Sequence, residues 1–267
     1  MGWSSVTGRI LVVSLCVILL ASMASADEMR EVKVFISGGF SAALRELGPD
    51  FERASGNKVI AVSAPSMGET PEAIPNRLQR GEAADVLIMV GYALDKLIAQ
   101  GKVIGDTRVD LARSGIGMAV RAGAPKPDIS SVESFKRTLL AAKSIAYSDS
   151  ASGVYLFTEL FPRLGILDQI KGKSRMIPAE PVGKVVARGE AEIGFQQMSE
   201  LLPVSGIDIV GPLPPGAQKL TMFSAAVVAG SKNSQGARAL LRYLSSPSAS
   251  PIISKTGMEP VAAAGKK

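Results

Sequence analysis

The sequence predicts an α/β fold on largely parallel sheets, either one large domain or two lobes. Three observations lead there. Apolar runs of strand length alternate with segments of helical spacing from Val32 to the C-terminal tail. The run Asp85 to Val90 is apolar almost throughout, as a strand covered on both faces requires. Several strands pass through a Ser- or Gly-rich turn straight into a helix, which is how βαβ units are joined. At 267 residues the chain is long enough for either arrangement.

Residues 1–26 stand outside this pattern. Arg9 precedes the apolar run Ile10 to Leu20, and Ala24-Ser25-Ala26 supplies small residues for cleavage, so Met1 to Ala26 reads as a secretory signal peptide. Cys16 follows Leu15 within the apolar run, which argues against a lipoprotein site, and cleavage leaves a chain without cysteine. The expected address is the periplasm.

In order, Val32 to Ile36 is a strand, followed by the turn Ser37-Gly38-Gly39-Phe40-Ser41 and a helix beginning at Ala42. Leu44, Leu47 and Phe51 share one face of that helix, and Pro49 is expected to end it early. Lys58 to Val62 is the second strand and Ser63 to Thr70 a loop. Pro71 opens a helix holding Ile74 and Leu78, which Gly81 stops. Asp85 to Val90 leads through Gly91-Tyr92 into the helix of Leu94, Leu97 and Ile98. A second unit starts after Ser114: strand Gly115 to Val120, helix Ser130 to Ala142 capped by Ser130 or Ser131, and strand Ser144 to Tyr147. The turn Ser148 to Gly153 follows, with a helix from about Val154. Val182 to Arg188 is a short helix, Glu192 to Phe195 a strand, Gln196 to Ser199 a polar turn and Ile207 to Val210 a strand. Leu220 to Ala229 is a long β-prone run, and the tail from Ser234 carries two amphipathic helices split by Pro247.

Composition narrows the chemistry. The formal net charge is +6 with no histidine. Without His or mature Cys, the usual serine triad, a cysteine nucleophile and most zinc sites are excluded. The positive charge is scattered and not interleaved with aromatics, so nucleic acid is not an expected partner. Ligands of open α/β sheets sit beyond the carboxyl ends of the strands. The turns at Ser37 to Ser41, Ser63 to Glu69, Gly91-Tyr92, Ser148 to Gly153 and Gln196 to Ser199 meet that requirement. If two lobes face each other, the first three line one wall and the last two the other. Backbone amides at a helix start, with hydroxyls beside them, suit a small anion.

Val34-Phe35 with its small-residue turn and Ala43-Leu44, the run Asn76-Arg77-Leu78-Gln79-Arg80-Gly81-Glu82-Ala83-Ala84-Asp85-Val86, and Ala239 to Tyr243 with Ser245-Ser246-Pro247 resemble the type II periplasmic solute-binding proteins, in their molybdate-binding branch. The resemblance spans nearly the whole mature chain. It implies a two-lobed α/β fold with a central ligand cleft: lobe I from residues 27–113 and 220–267, lobe II from 114–219, with crossings near Ser114 and Leu220. It also implies a monomer, and, for a receptor, ABC transporter membrane subunits as partners. The branch's oxyanion pocket is not reproduced. Its first serine falls on Gly39, its late tyrosine on Gln197, and Met67 stands where compact hydroxyls belong. These departures point to an organic anion such as a polycarboxylate.

A narrower resemblance is to the bacterial aconitate isomerases. It rests on Ser37 to Phe40, on Pro65 to Gly68 continuing through Pro71 to Leu78, and on Ser144 to Tyr155. It implies an allylic proton shift between cis- and trans-aconitate, in which a base takes a proton from the CH2 carbon and a proton returns to the far carbon. No metal or cofactor is needed. The alternative is the substrate-binding subunit of an ABC importer for molybdate-like oxyanions or an organic polycarboxylate. The expected ligand-binding residues are Ser37, Gly38, Gly39, Phe40, Ser41, Ser66, Met67, Tyr92, Ser150, Ser152, Gly153, Val154 and Gln197. The base is not singled out. Tyr92, Tyr155, Asp149 and Glu69 are candidates by position, with packing (the tyrosines), helix capping (Asp149) and a solvated loop (Glu69) as their alternative roles. Arg77 is a candidate carboxylate partner.

Overall fold

Arg30–Ile36 opens the fold as strand β1, and the computed structural model describes residues 30–261. The export signal expected over residues 1–26 lies outside the described residues. Val32, Val34, Phe35 and Ile36 are buried, so β1 is covered on both faces as its apolar run requires.

Helix α1, Gly38–Ser55, follows at once. The expected glycine turn is thus the first turn of the helix, and Ser37 alone stands before it, at the N-cap position but without a side-chain cap bond. Pro49 lies inside α1 and does not end it. It is exposed and forfeits one backbone bond, while Leu44, Leu47 and Phe51 hold the helix to the core from both sides.

Strand β2 is Asn57–Ser63, helix α2 Ile74–Gln79 and strand β3 Val86–Val90. Helix α2 starts three residues later than expected. The loop before it folds back, with Ala73 N–H donating to Thr70 O (3.1 Å) and Ile74 N–H to Pro65 O (2.9 Å). The proline in the first helical turn is Pro75. Helix α3, Gly91–Ala99, springs directly from β3. Strand β4, Val109–Ser114, carried no sequence signal. It is built around Leu111 and Ala112 and lies between the strand Thr221–Val227 and the short edge strand Glu259–Pro260.

Lobe II begins with β5, Ile116–Arg121. Helix α4, Val132–Ala141, has Ser131 as its cap, accepting from Ser134 N–H at 3.1 Å. Strand β6 is Ile145–Ser148, and helix α5, Ala151–Tyr155, starts three residues before the expected Val154. Strand β7, Ser174–Ile177, was also without sequence signal, having one buried residue in four. Helix α6 is Val182–Ala187 and strand β8 Ile193–Gln197. The expected polar turn is therefore split. Gln196 and Gln197 end β8, while Met198 and Ser199 begin the single-turn helix α7, Met198–Leu201.

Strand β9 is Ile207–Pro212, β10 Thr221–Val227, α8 Ser234–Leu244, α9 Ser250–Lys255 and β11 Glu259–Pro260. Two sheets result. The first has the order β11-β4-β10-β3-β1-β2, the second β7-β6-β8-β5-β9. In each, three strands are parallel (β2-β1-β3 and β7-β6-β8) and the remainder antiparallel. The chain leaves the first sheet at Ser114, enters the second at Ile116, and returns between Pro212 and Thr221.

Gln218 stitches the two crossings together. Its Oε1 accepts from Ile116 N–H (2.8 Å) and its Nε2 donates to Ile116 O (2.9 Å), as a neighbouring strand would. Each lobe keeps its own core, one around Phe35, Leu47 and Leu94, the other around Phe135 and Phe195, whose rings meet edge to face at 5.8 Å.

Candidate functional site

Both parallel units reverse strand order at their central strand, and in such sheets the crevice opens at that switch point. In lobe I it lies where β1 ends beside β3, with Ser37 N–H donating to Ile88 O at 2.9 Å. In lobe II it lies where β6 ends beside β8. The two face a shared cavity of about 250 Å³ with Ser37, Gly38 and Ser63 to Pro65 on one wall, and Ser148 to Ser150, Ala179 to Pro181, Gln196 and Glu200 on the other. A second cavity of about 360 Å³ adjoins it and brings in Ser41, Arg45 and Lys184. A larger space, about 690 Å³, lies on lobe I alone near Lys33 and Asp85. It is at the opposite ends of the strands, where the carboxyl of Asp85 is already engaged by Lys33 N–H, Ser231 and Asn233 N–H.

The positive end of α1 meets the cleft uncapped, since Ser37 makes no side-chain cap bond and its buried Oγ has no partner. Against this helix start lies Glu200, reaching over from lobe II. A Cβ on Gly38 would come within 2.9 Å of the Glu200 carboxyl carbon, and nearer still to its Oε1. Burial pushes this carboxyl up to about 7; a hydrogen bond with the Gln196 side chain pulls the other way and the charge of Asp149 adds to the rise. Asp149 itself is raised by burial, against the opposing bond from Ala179 N–H to its Oδ2 at 3.2 Å. Ala179 makes that bond from a left-handed conformation (φ 54°), strained for a residue with a side chain. The titratable groups of the first cavity are all acidic, and Glu180 among them is paired with Arg188 at 2.6 Å. The cations stand in the adjoining space, on Arg45 and Lys184.

A model described as bacterial extracellular solute-binding protein matches residues 32–259. The chain belongs to that family. It is 55% identical over 257 residues to a protein named aconitate isomerase from a Pseudomonas species, covering 96% of this chain and 98% of that one. It is 26% identical over 247 residues to the molybdate-binding protein ModA of Azotobacter vinelandii, covering 88% and 92%. The solved periplasmic molybdate-binding protein of the same organism superposes with a TM-score of 0.66 at 21% identity, covering 85% of this chain and 98% of that one. The fold is the two-lobed type II fold of periplasmic binding proteins, with molybdate binders among its relatives.

In this solute-binding protein the residues expected at the site divide sharply. Ser37, Gly38, Asp149 and Ser150 line the first cavity, and Gly38 and Ser41 the second. Ser41 Oγ donates to Ser37 O at 3.1 Å. Gly39 and Phe40 point the other way. A Cβ on Gly39 would lie 2.8 Å from Cε2 of Phe223, and nearer to the tip of that ring, while Phe40 is wholly buried. Ser66 is buried and its Oγ accepts from Val90 N–H at 3.0 Å, tying the loop to β3. Met67 packs on the lobe I core, its sulfur 3.4 Å from the donating hydroxyl of Tyr92.

Tyr92 is half exposed and lines neither cavity; burial and the charge of Glu159 raise its hydroxyl. Tyr155 sits in the lobe II core, donating to Ala217 O (3.0 Å) and accepting from Arg163 (3.1 Å). Ser152 is buried and shares a hydrogen bond with Ser148 at 2.9 Å. Gly153 serves packing, since a Cβ there would come within 2.8 Å of the Ser148 carbonyl carbon. Val154 is exposed, Gln197 is buried with its Nε2 donating to Thr221 at 2.9 Å, and Glu69 is exposed outside both cavities. Arg77 is bound to Glu82 at 2.7 Å and lies over Phe35, away from the cleft.

Gln196 lines the cleft as its turn was expected to, whereas Glu200, Ala179, Arg45 and Lys184 were missed by reading turns. Glu200 had a signal: it follows the polar segment Gln196 to Ser199 directly, in the first helical turn after a strand. The others sit on a helix flank or a loop, where only the approach of the opposite wall gives them a role.

Proposed function

We propose that this protein interconverts cis- and trans-aconitate by an allylic proton shift in the cleft between its lobes. The observation that carries the reading is the 55% identity to a protein of that name, running over 96% of this chain. The cleft is consistent in kind. The uncapped start of α1, the free hydroxyl of Ser37, Ser150, and the side chains of Arg45 and Lys184 offer donors for carboxylates. Protonic work at carbon needs only a carboxyl near its own ionisation point, and Glu200 at about 7 is one. In this reading the protein is exported by cleavage after residue 26 and acts in the periplasm as a monomer, lobe I comprising residues 27–113 and 220–267 and lobe II residues 114–219.

Mixing the purified protein with cis-aconitate and following the vinyl proton by NMR tests it: the trans signal grows at a rate proportional to protein. Binding without conversion would return the protein to a second reading, the receptor of an importer, which the family and the 26% identity to a molybdate-binding protein favour. Tight binding of molybdate would count against a polycarboxylate.

A further inference from the structure

An isomerase of this kind needs a group that takes a proton from carbon and gives it back. Among the candidates chosen by position, Tyr155 has its hydroxyl engaged in the lobe II core, and Glu69 and Tyr92 line neither cavity. We propose that Glu200 carries the proton between the two allylic carbons of the substrate, an assignment that rests on the isomerase reading above.

Placement is the first argument. Glu200 lines both cavities, at the point where lobe II meets the start of α1 on lobe I. Ser37 and Ser150 line the same cavity as Glu200, so a solute held between them shares that space with its carboxyl. The second argument is Ser37, 3% exposed, with its Oγ unpartnered and lining the same cavity. A buried hydroxyl without a partner is costly unless a ligand completes it. That fixes where one polar group of the solute binds, next to Glu200.

The surroundings then set the chemistry. Asp149 and Glu72 also line the first cavity, Glu180 is neutralised by Arg188, and Arg45 and Lys184 line the adjoining one. Burial and the Asp149 charge place the Glu200 carboxyl at about 7, so acid and base forms are both accessible at neutral pH. The carboxylate removes one proton from the methylene carbon. The C–H electron pair becomes a new C=C bond and the former double bond becomes the far carbanionic end of a delocalised anion. The Glu200 carboxyl then returns one proton to that far carbon. One proton leaves and one arrives, with no change of oxidation state.

The test is Glu200→Gln, which keeps the shape and the hydrogen bonding with Gln196 but cannot carry a proton. The expected result is a fall in the isomerisation rate of about 100-fold or more, with aconitate binding by calorimetry kept within a few-fold. Glu200→Asp, whose carboxyl is drawn back by one methylene, should recover part of the rate. The wild-type kcat should rise through pH about 7, and that limb should be missing from the residual activity of Glu200→Gln. A variant that isomerises within about threefold of wild type overturns the assignment and leaves the isomerase reading intact. Wild-type protein that binds aconitate without converting it overturns both. If Glu200→Gln loses binding as well, the wild-type profile decides: a flat kcat between pH about 5.5 and 8.5 overturns the assignment, and a limb near 7 supports it.

Discussion

Glu200→Gln should stabilise the folded protein, by an amount that grows as pH rises from about 4.5 to about 7 and is constant above that. In the folded chain the carboxyl ionises at about 7 against an ordinary value of 4.5. The folded state therefore holds its proton where the unfolded state has released it. A raised carboxylate contributes its full share of stability below about 4.5 and loses it as pH rises through about 7. The full separation corresponds to about 3 kcal/mol. Between pH 5 and pH 8 the calculated loss, reduced for the partial exposure of the residue, is about 2 kcal/mol. Glutamine has the same length and no charge to lose. Urea unfolding of both proteins at several pH values gives the difference directly. The two should be nearly equal at pH 5, with the variant ahead by about 2 kcal/mol at pH 8. A difference that stays constant across this range would mean that the carboxyl is solvated in solution, and the desolvated geometry at Gly38 would be refuted.

Gly39→Ser restores the residue type expected of the molybdate-binding branch, yet its Cβ would enter the ring of Phe223. Urea unfolding should show a loss of about 1–3 kcal/mol, and calorimetry no gain of molybdate affinity. Gly153→Ala meets the backbone of Ser148, which cannot swing aside as a side chain can. It should cost more, about 3 kcal/mol or above, visible as a lowered melting temperature. Asp85 is pushed up by burial but held below its ordinary value by the bonds from Ser231, Lys33 N–H and Asn233 N–H. It therefore contributes stability above pH 3.8 that is lost on acidification. Asp85→Asn should cost about 1.5–3 kcal/mol at pH 7, with the gap to wild type narrowing only as pH falls below 3.8.

The sequence by itself determined much of the element order and the parallel units, because a strand buried on both faces must be apolar, as β3 is throughout and β1 is from Val34 to Ile36. It also located the ends of the strands where a ligand would sit, since a chain passing from strand to helix there shows it as small and hydroxyl residues. Short edge elements escaped it. Strand β7 buries one residue in four, too little to leave a pattern. Direction within a turn was equally beyond its reach. Gly38 and Gly39 are adjacent and chemically identical, yet one faces Glu200 and the other Phe223, because successive residues on a helix point about 100° apart and packing chooses the face. Ser66, Ser152, Gly153 and Tyr155 looked like site residues because of their type, and the structure uses each inside one lobe. The unusual carboxyl of Glu200 was decided by tertiary structure alone. What desolvates it is the meeting of α7 with the start of α1, two segments joined only when the lobes come together, so no local pattern around residue 200 could record it.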